Sequence, residues 1–123
     1  MYKDIETEQA VLASMIIDND CSLDCELLSV EDFTDKLHQT IFVGIKNLVK
    51  KEKTVDYLIL YTELNKQVPV TYLAELSDSL PTTANFKQYV DQLKDLSLKR
   101  KLYQLAGEIR NPEKTGDELA ELA

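Results

Sequence analysis

An all-α fold, a small multi-helix globular head followed by the start of a helical hairpin, is predicted by three features of this 123-residue sequence. Only three glycines and three prolines interrupt it. Apolar residues recur at spacings of three and four, the period of a helix face. From Phe86 the helical pattern runs on until "RNPEKTG" at 110–116, long enough for one extended helix.

The first element rests on "DIETEQAVLASMII" at 4–17. Asp4 or Thr7 can accept hydrogen bonds from the free amides of a first turn, where Asp4, Glu6 and Glu8 also meet the positive end of the helix dipole. Val11, Leu12, Met15 and Ile16 then supply an apolar face. "DND" at 18–20 ends this helix, and Ser22 is expected to cap a short one through Leu28. Ser29 and Asp32 bracket a tight turn around Phe33. Leu37, Ile41, Phe42, Ile45, Leu48 and Val49 predict an amphipathic helix of about four turns. Its end is basic, with Lys46, Lys50, Lys51 and Lys53 matching the negative end of the dipole. Asp56 is placed to cap the next helix, which buries Leu60, Leu64 and either Tyr57 or Tyr61. After "QVPV" a further helix carries Tyr72, Leu73, Leu76 and Leu80.

The tail is the most informative part. "PTTANF" at 81–86 provides a proline and a threonine cap for the long helix. Phe86, Val90 and Leu93 make one apolar seam; Leu98, Leu102, Leu105 and Ile109 make another at spacings of four, three and four. Continuing the first seam would turn Ser97 and Arg100 inward. The first half is therefore expected to pack on the head and the second to face something different; the plainer reading is a slightly rotated helix that still packs on its own domain. "GDELAELA" starts another helix, with Asp117 near its beginning, and two turns are too short to stand alone. The expected division is a head over 1–95 and, over 96–123, a hairpin cut short.

Charge narrows the partners. A formal charge of −8 repels polyanions, so direct binding of nucleic acid by this chain is not expected, and protein partners are favoured. The basic group Lys94, Lys99, Arg100, Lys101 and Arg110 reads as the flank of a helical interface. The longest uncharged runs, Gln9–Ile17 and Leu37–Ile45, fall far short of the roughly 20 residues of a membrane span. With no basic-then-apolar leader at the start, the expected compartment is the cytoplasm.

Catalytic machinery is scarce. Glycines at 44, 107 and 116 admit neither a phosphate-binding loop nor a dinucleotide turn. Cys21 and Cys25 stand four apart without the further ligands of a structural zinc site, so free structural thiols are expected. His38, the one histidine, reads as a packed side chain beside an apolar helix face. No catalytic, cofactor or metal residue is assigned, and surface carboxylates read as a solvated face rather than as a small enzyme's site.

In order along the chain, "IETEQAVLAS" at 5–14, Glu31–Asp32–Phe33 with His38, Ile41 and Phe42, Val55–Asp56 with Leu60 and Leu64, "YLAEL" at 72–76, Pro81, Thr83, Ala84, Asn85 and Tyr89, and the group Leu98, Lys99, Arg100 and Leu102 form a pattern. It resembles the N-terminal domain of DnaB-type replicative helicases across nearly the whole chain. Ala13 stands where that family usually has glycine, and the stretch Lys66–Val70 lacks its common Gly-Gly.

The resemblance implies a collar domain of a hexameric ATP-dependent DNA helicase whose hairpins pair between subunits and which meets primase and, in some systems, a loader. ATP and magnesium would belong to a C-terminal motor beyond a linker, so this piece would not itself be an enzyme. Leu98, Leu102, Leu105 and Ile109 are then the candidate hairpin seam, and Tyr72 a candidate partner contact. The helicase-binding C-terminal domain of a primase resembles the same fold; Met1 and the early "IETEQAVLAS" favour a true N-terminus instead. A stand-alone replication regulator is a further alternative.

Overall fold

The computed structural model describes residues 2–109. Among them the chain forms six α-helices, two short 3-10 turns and no strand: α1 Ile5–Ile17, α2 Asn19–Leu23, 3-10 turns at Asp24–Leu27 and Val30–Asp32, α3 Lys36–Lys50, α4 Tyr57–Glu63, α5 Val70–Asp78 and α6 Phe86–Ile109. The proposed helix in "GDELAELA" lies outside the described residues.

Helix α1 is the axis of the head and packs against α2, α3, α5 and α6. Its start is set by Asp4, whose carboxylate accepts from the Thr7 amide at 3.2 Å. Val11, Leu12, Ala13 and Met15 are fully buried, and Thr7, Glu8, Ser14 and Ile16 are buried too. A helix enclosed on so many sides needs small or well-matched side chains, and Ala13 sits at full burial.

Local signals set most of the other starts. Asp35 caps α3 by accepting from the amides of Leu37 and His38, and Asp56 caps α4 by accepting from Ile59 N at 2.7 Å. Around Val30–Asp32, Ser29 and Asp32 form a reciprocal capping box. Phe33 leaves this turn directly into the core, with its ring centroid 4.9 Å from that of Phe42. Tyr57 and Tyr61 both pack against the core without being fully enclosed.

Three expectations need correction. Asp18, not Ser22, caps α2, by accepting from the Asp20 amide at 2.9 Å; Ser22 lies inside the helix and donates its hydroxyl to the Asn19 carbonyl. The short helix stops at Leu23 and continues as a 3-10 turn. Leu37 is exposed because it sits in the first turn of α3, outside the stripe formed by His38, Ile41, Phe42, Ile45 and Leu48. At the start of α6 the Thr83 hydroxyl reaches back to donate to Asp18 Oδ2 at 3.0 Å, while Thr82 accepts from the Ala84 amide before the helix begins.

The turn that lacks Gly-Gly has a backbone reason to want it. Asn65 and Lys66 both adopt left-handed conformations, φ 50° and 63°. Glycine would adopt this conformation without steric cost.

Candidate partner-binding surfaces

Helix α6 presents two faces that diverge at its middle. Phe86, Val90 and Leu93 are buried against the head. The same face then continues with polar residues: Ser97 is buried and hydrogen bonds to Asp32. Arg100 spans the next gap, donating to the carbonyls of Tyr2 (2.8 Å), Glu31 (3.0 Å) and Asp32 (3.4 Å). These last two carbonyls close the Val30–Asp32 turn, so the guanidinium meets the negative end of a short helix.

Asp32 is the anchor on the head side. Burial pushes its carboxyl up, but the Ser29 amide, Ser97 and the ammonium of Lys94, 3.1 Å away, outweigh burial and hold it below the usual range. Two more bases of this stretch are also engaged within the chain, Lys99 with Asp95 at 3.0 Å and Lys101 with Glu31 at 3.5 Å, while Arg110 lies outside the described residues. This arrangement suits the flank of an interface better than a grip on phosphates.

The other face of α6 is apolar and open. Leu98 and Leu102 are 55% and 54% exposed, and Leu105 is half-buried. Tyr103 is equally exposed, with Tyr2 edge-on to it at 6.2 Å between centroids. The backbone of Ile109 ends α6, and its side chain lies outside what the structure describes.

Tyr72 lies on a different face and is half-buried. Its hydroxyl is 2.6 Å from His38 Nε2 and accepts from Gln9 Nε2 at 3.1 Å. His38 Nδ1 in turn lies 2.9 Å from Glu8 Oε1. Glu8 also accepts from the Thr34 hydroxyl (2.6 Å), the Thr34 amide (3.0 Å) and the Asp35 amide (3.4 Å). Burial pushes the Glu8 carboxyl up, yet the bonds from His38, Thr34 and Asp35 together hold it below its ordinary value. It is a carboxylate enclosed by donors. The network ties α1, α3 and α5 together, with the His38 and Tyr72 rings stacked 14° from parallel.

Outside this network runs a shallow groove of about 330 Å³, lined by Ala10, Leu76 and Leu80 and flanked by Glu6, Gln9, Tyr72 and Glu75. Neither Glu6 nor Glu75 has an ion-pair partner among the described residues. The groove thus offers an apolar floor and two unmatched carboxylates.

Sequence reasoning found Tyr72 and His38 separately and missed what joins them. One signal was present: Glu8 lies on the same helical face as Leu12 and Met15, an odd place for a solvated acid. Cys21 and Cys25 are both buried and form no disulfide. Burial and the nearby Asp18 carboxylate push the Cys21 thiol up to about 11, and burial raises that of Cys25. Such thiols are poor nucleophiles at neutral pH.

Residues 1–95 match the family model described as DnaB-like helicase N terminal domain. Over 97% of its length the chain is 34% identical to the replicative DNA helicase DnaB of Buchnera aphidicola subsp. Baizongia pistaciae, of which it covers 28%. Over 85% of its length it is 34% identical to that of Geobacillus stearothermophilus, of which it covers 25%. The chain therefore spans about a quarter of the length of these relatives. Its fold is similar to the N-terminal domain of DnaB helicase from Mycobacterium tuberculosis, with a TM-score of 0.81, 24% identity, and coverage of 97% of this chain and 92% of that one. A second solved structure, of a DnaB-like replicative helicase and its interactions with primase, matches 86% of this chain and 27% of that one at 28% identity and a TM-score of 0.77.

Proposed function

This chain belongs to the family of DnaB-like helicase N-terminal domains, and on that premise we propose that it is the collar and interaction module of a hexameric replicative DNA helicase. The head over 1–95 carries a partner site, and residues 96–123 begin a hairpin through which neighbouring subunits pair. Unwinding, ATP and magnesium belong to a motor elsewhere in the protein, and the working compartment is the cytoplasm.

The observation that carries this reading is the divided surface of α6. A helix whose head-facing side is satisfied by Ser97 and Arg100 still leaves Leu98 and Leu102 uncovered and Leu105 only half-buried, at spacings of four and three. That spacing fits another helix laid alongside. Ile109 continues it in sequence. The Tyr72 groove is assigned to primase, in line with a related helicase whose structure is described with its primase interactions; a loader is a further partner of the collar.

The test pairs Leu102→Asp with Leu105→Asp in a longer chain that includes the second arm of the proposed hairpin. Light scattering should show weakened self-association while circular dichroism reports a folded head. Undiminished association would sink the seam assignment.

A further inference from the structure

We propose that the outer face of α3 is a further docking surface, which receives an amphipathic helix of a protein partner with carboxylates beside its apolar stripe. This face shares no lining residue with the Tyr72 groove and takes none from α6. It therefore stands independently of both surfaces assigned above.

Two hollows of about 360 Å³ and 530 Å³ meet along α3 and share Val30, Val43 and Asn47. The first extends the line toward the start of the helix through Gln39 and Thr40, and the second extends it toward the end through Lys46 and Lys50. Positions 39, 43, 46 and 50 are four, three and four apart, so they form one stripe. At about 1.5 Å per residue the stripe is about 16 Å long, the length of about three turns of a second helix.

The floor of this trough is apolar and open. Val43 is 41% exposed at the middle of the stripe, and Val30, which lines both hollows, is 38% exposed. Leu23 and Leu27, on the segment that brings Cys25 and Glu26 to the second hollow, are more exposed still. Single exposed aliphatics are ordinary. Two valines lining one trough, with two leucines on its bordering segment, make a patch suited to a partner.

Charge selects the occupant. The chain carries 22 acids against 14 bases, yet the second hollow is lined by two bases, Lys46 and Lys50, and one acid, Glu26. Neither lysine has an ion-pair partner among the described residues. The Lys46 ammonium lies 5.5 Å from the centre of the Phe42 ring, a contact that leaves its charge unneutralised. Glu63, the acid of the first hollow, is already taken by Lys51 at 3.0 Å. Charges are screened beyond about 8 Å at physiological salt, so a helix lying in the trough meets these lysines rather than the overall sign of the chain. Its complement is an apolar stripe edged by carboxylates one turn apart.

The test uses a displayed library of amphipathic helical peptides about four turns long, with leucine and alanine fixed along one face and the polar positions random. It is selected on the 123-residue chain and counter-selected on Val43→Asp. The peptides retained should be rich in Asp and Glu at the edges of the apolar face. In calorimetry, Lys46→Glu combined with Lys50→Glu should weaken the best of them about tenfold, whereas Tyr72→Ala and Leu102→Asp should leave its affinity unchanged. Val43, Lys46 and Lys50 are all exposed, and circular dichroism checks that each variant keeps the fold. Retained peptides rich in Lys and Arg, no peptide sensitive to Val43→Asp, or an affinity untouched by the paired lysine changes would each overturn the proposal. A sedimentation mass that falls from dimer to monomer in Val43→Asp would assign the trough to a second copy of the chain and overturn it as well.

Discussion

Glu8 and His38, thirty residues apart, form a buried pair in which Nδ1 lies 2.9 Å from Oε1 and both side chains are almost wholly removed from solvent. The pair joins the first turn of α1 to the first turn of α3, so it fixes how the two helices meet.

Removing one partner should be costly. His38→Ala leaves a buried carboxylate with fewer donors and opens a cavity between helices, and a loss of about 3 kcal/mol is expected. Urea unfolding at neutral pH measures it. Tyr72→Phe, which removes one hydroxyl at the edge of the same network, should cost only about 1 kcal/mol.

Acid should act through two carboxylates. Glu8 and Asp32 are both held below their ordinary values, 4.5 and 3.8, so each binds its proton less readily in the folded chain than in the unfolded one. Their contribution is present above those values and is lost as pH falls through the lower folded ones. The urea midpoint should therefore drop progressively below about pH 4.5. Glu8→Gln and Asp32→Asn should each start lower at neutral pH and fall less steeply with acid.

Two glycines in helices should respond in opposite senses. A methyl group at Gly44 would lie 2.6 Å from Leu64 Cδ2 and 2.9 Å from Leu60 Cδ1, so Gly44→Ala should destabilise by about 1–2 kcal/mol despite its better helix propensity. Nothing lies within 4 Å of the same position at Gly107. Gly107→Ala should strengthen the end of α6 by about 0.5–1 kcal/mol. Thermal unfolding and helicity by circular dichroism distinguish the two.

Arg100→Ala should release three carbonyls at once. The expected cost is about 1–2 kcal/mol, reduced by the partial exposure of the site. Faster amide exchange at residues 29–33, with the exchange of α4 unchanged, would locate the effect at the turn that Arg100 holds.

The starts of helices were legible because a cap acts over two or three residues. Asp4 and Asp56 needed only their neighbours to be recognised. Ser22 misled because Asp18, four residues earlier, competes for the same role and accepts the amide of its own turn first. His38 shows the other limit: its burial follows from the stripe it shares with Ile41, Phe42 and Ile45, but its partners Glu8 and Tyr72 lie on other helices, where no local period reaches. The change of seam in α6 was visible in the spacing of Leu98, Leu102 and Leu105. What Ser97 and Arg100 do on the inward side was not, since their acceptors include backbone carbonyls, which carry no sequence signature.

The divided surface of α6 has a consequence in time as well as in space. Amides up to Ser97 are sealed by the chain's own head and should exchange with solvent only when that head unfolds, at a rate independent of dilution. From Leu102 onward the helix has less to hold it, and opening there should slow only as a second molecule arrives. One continuous rod would register the folding of a single chain at one end and the meeting of two chains at the other.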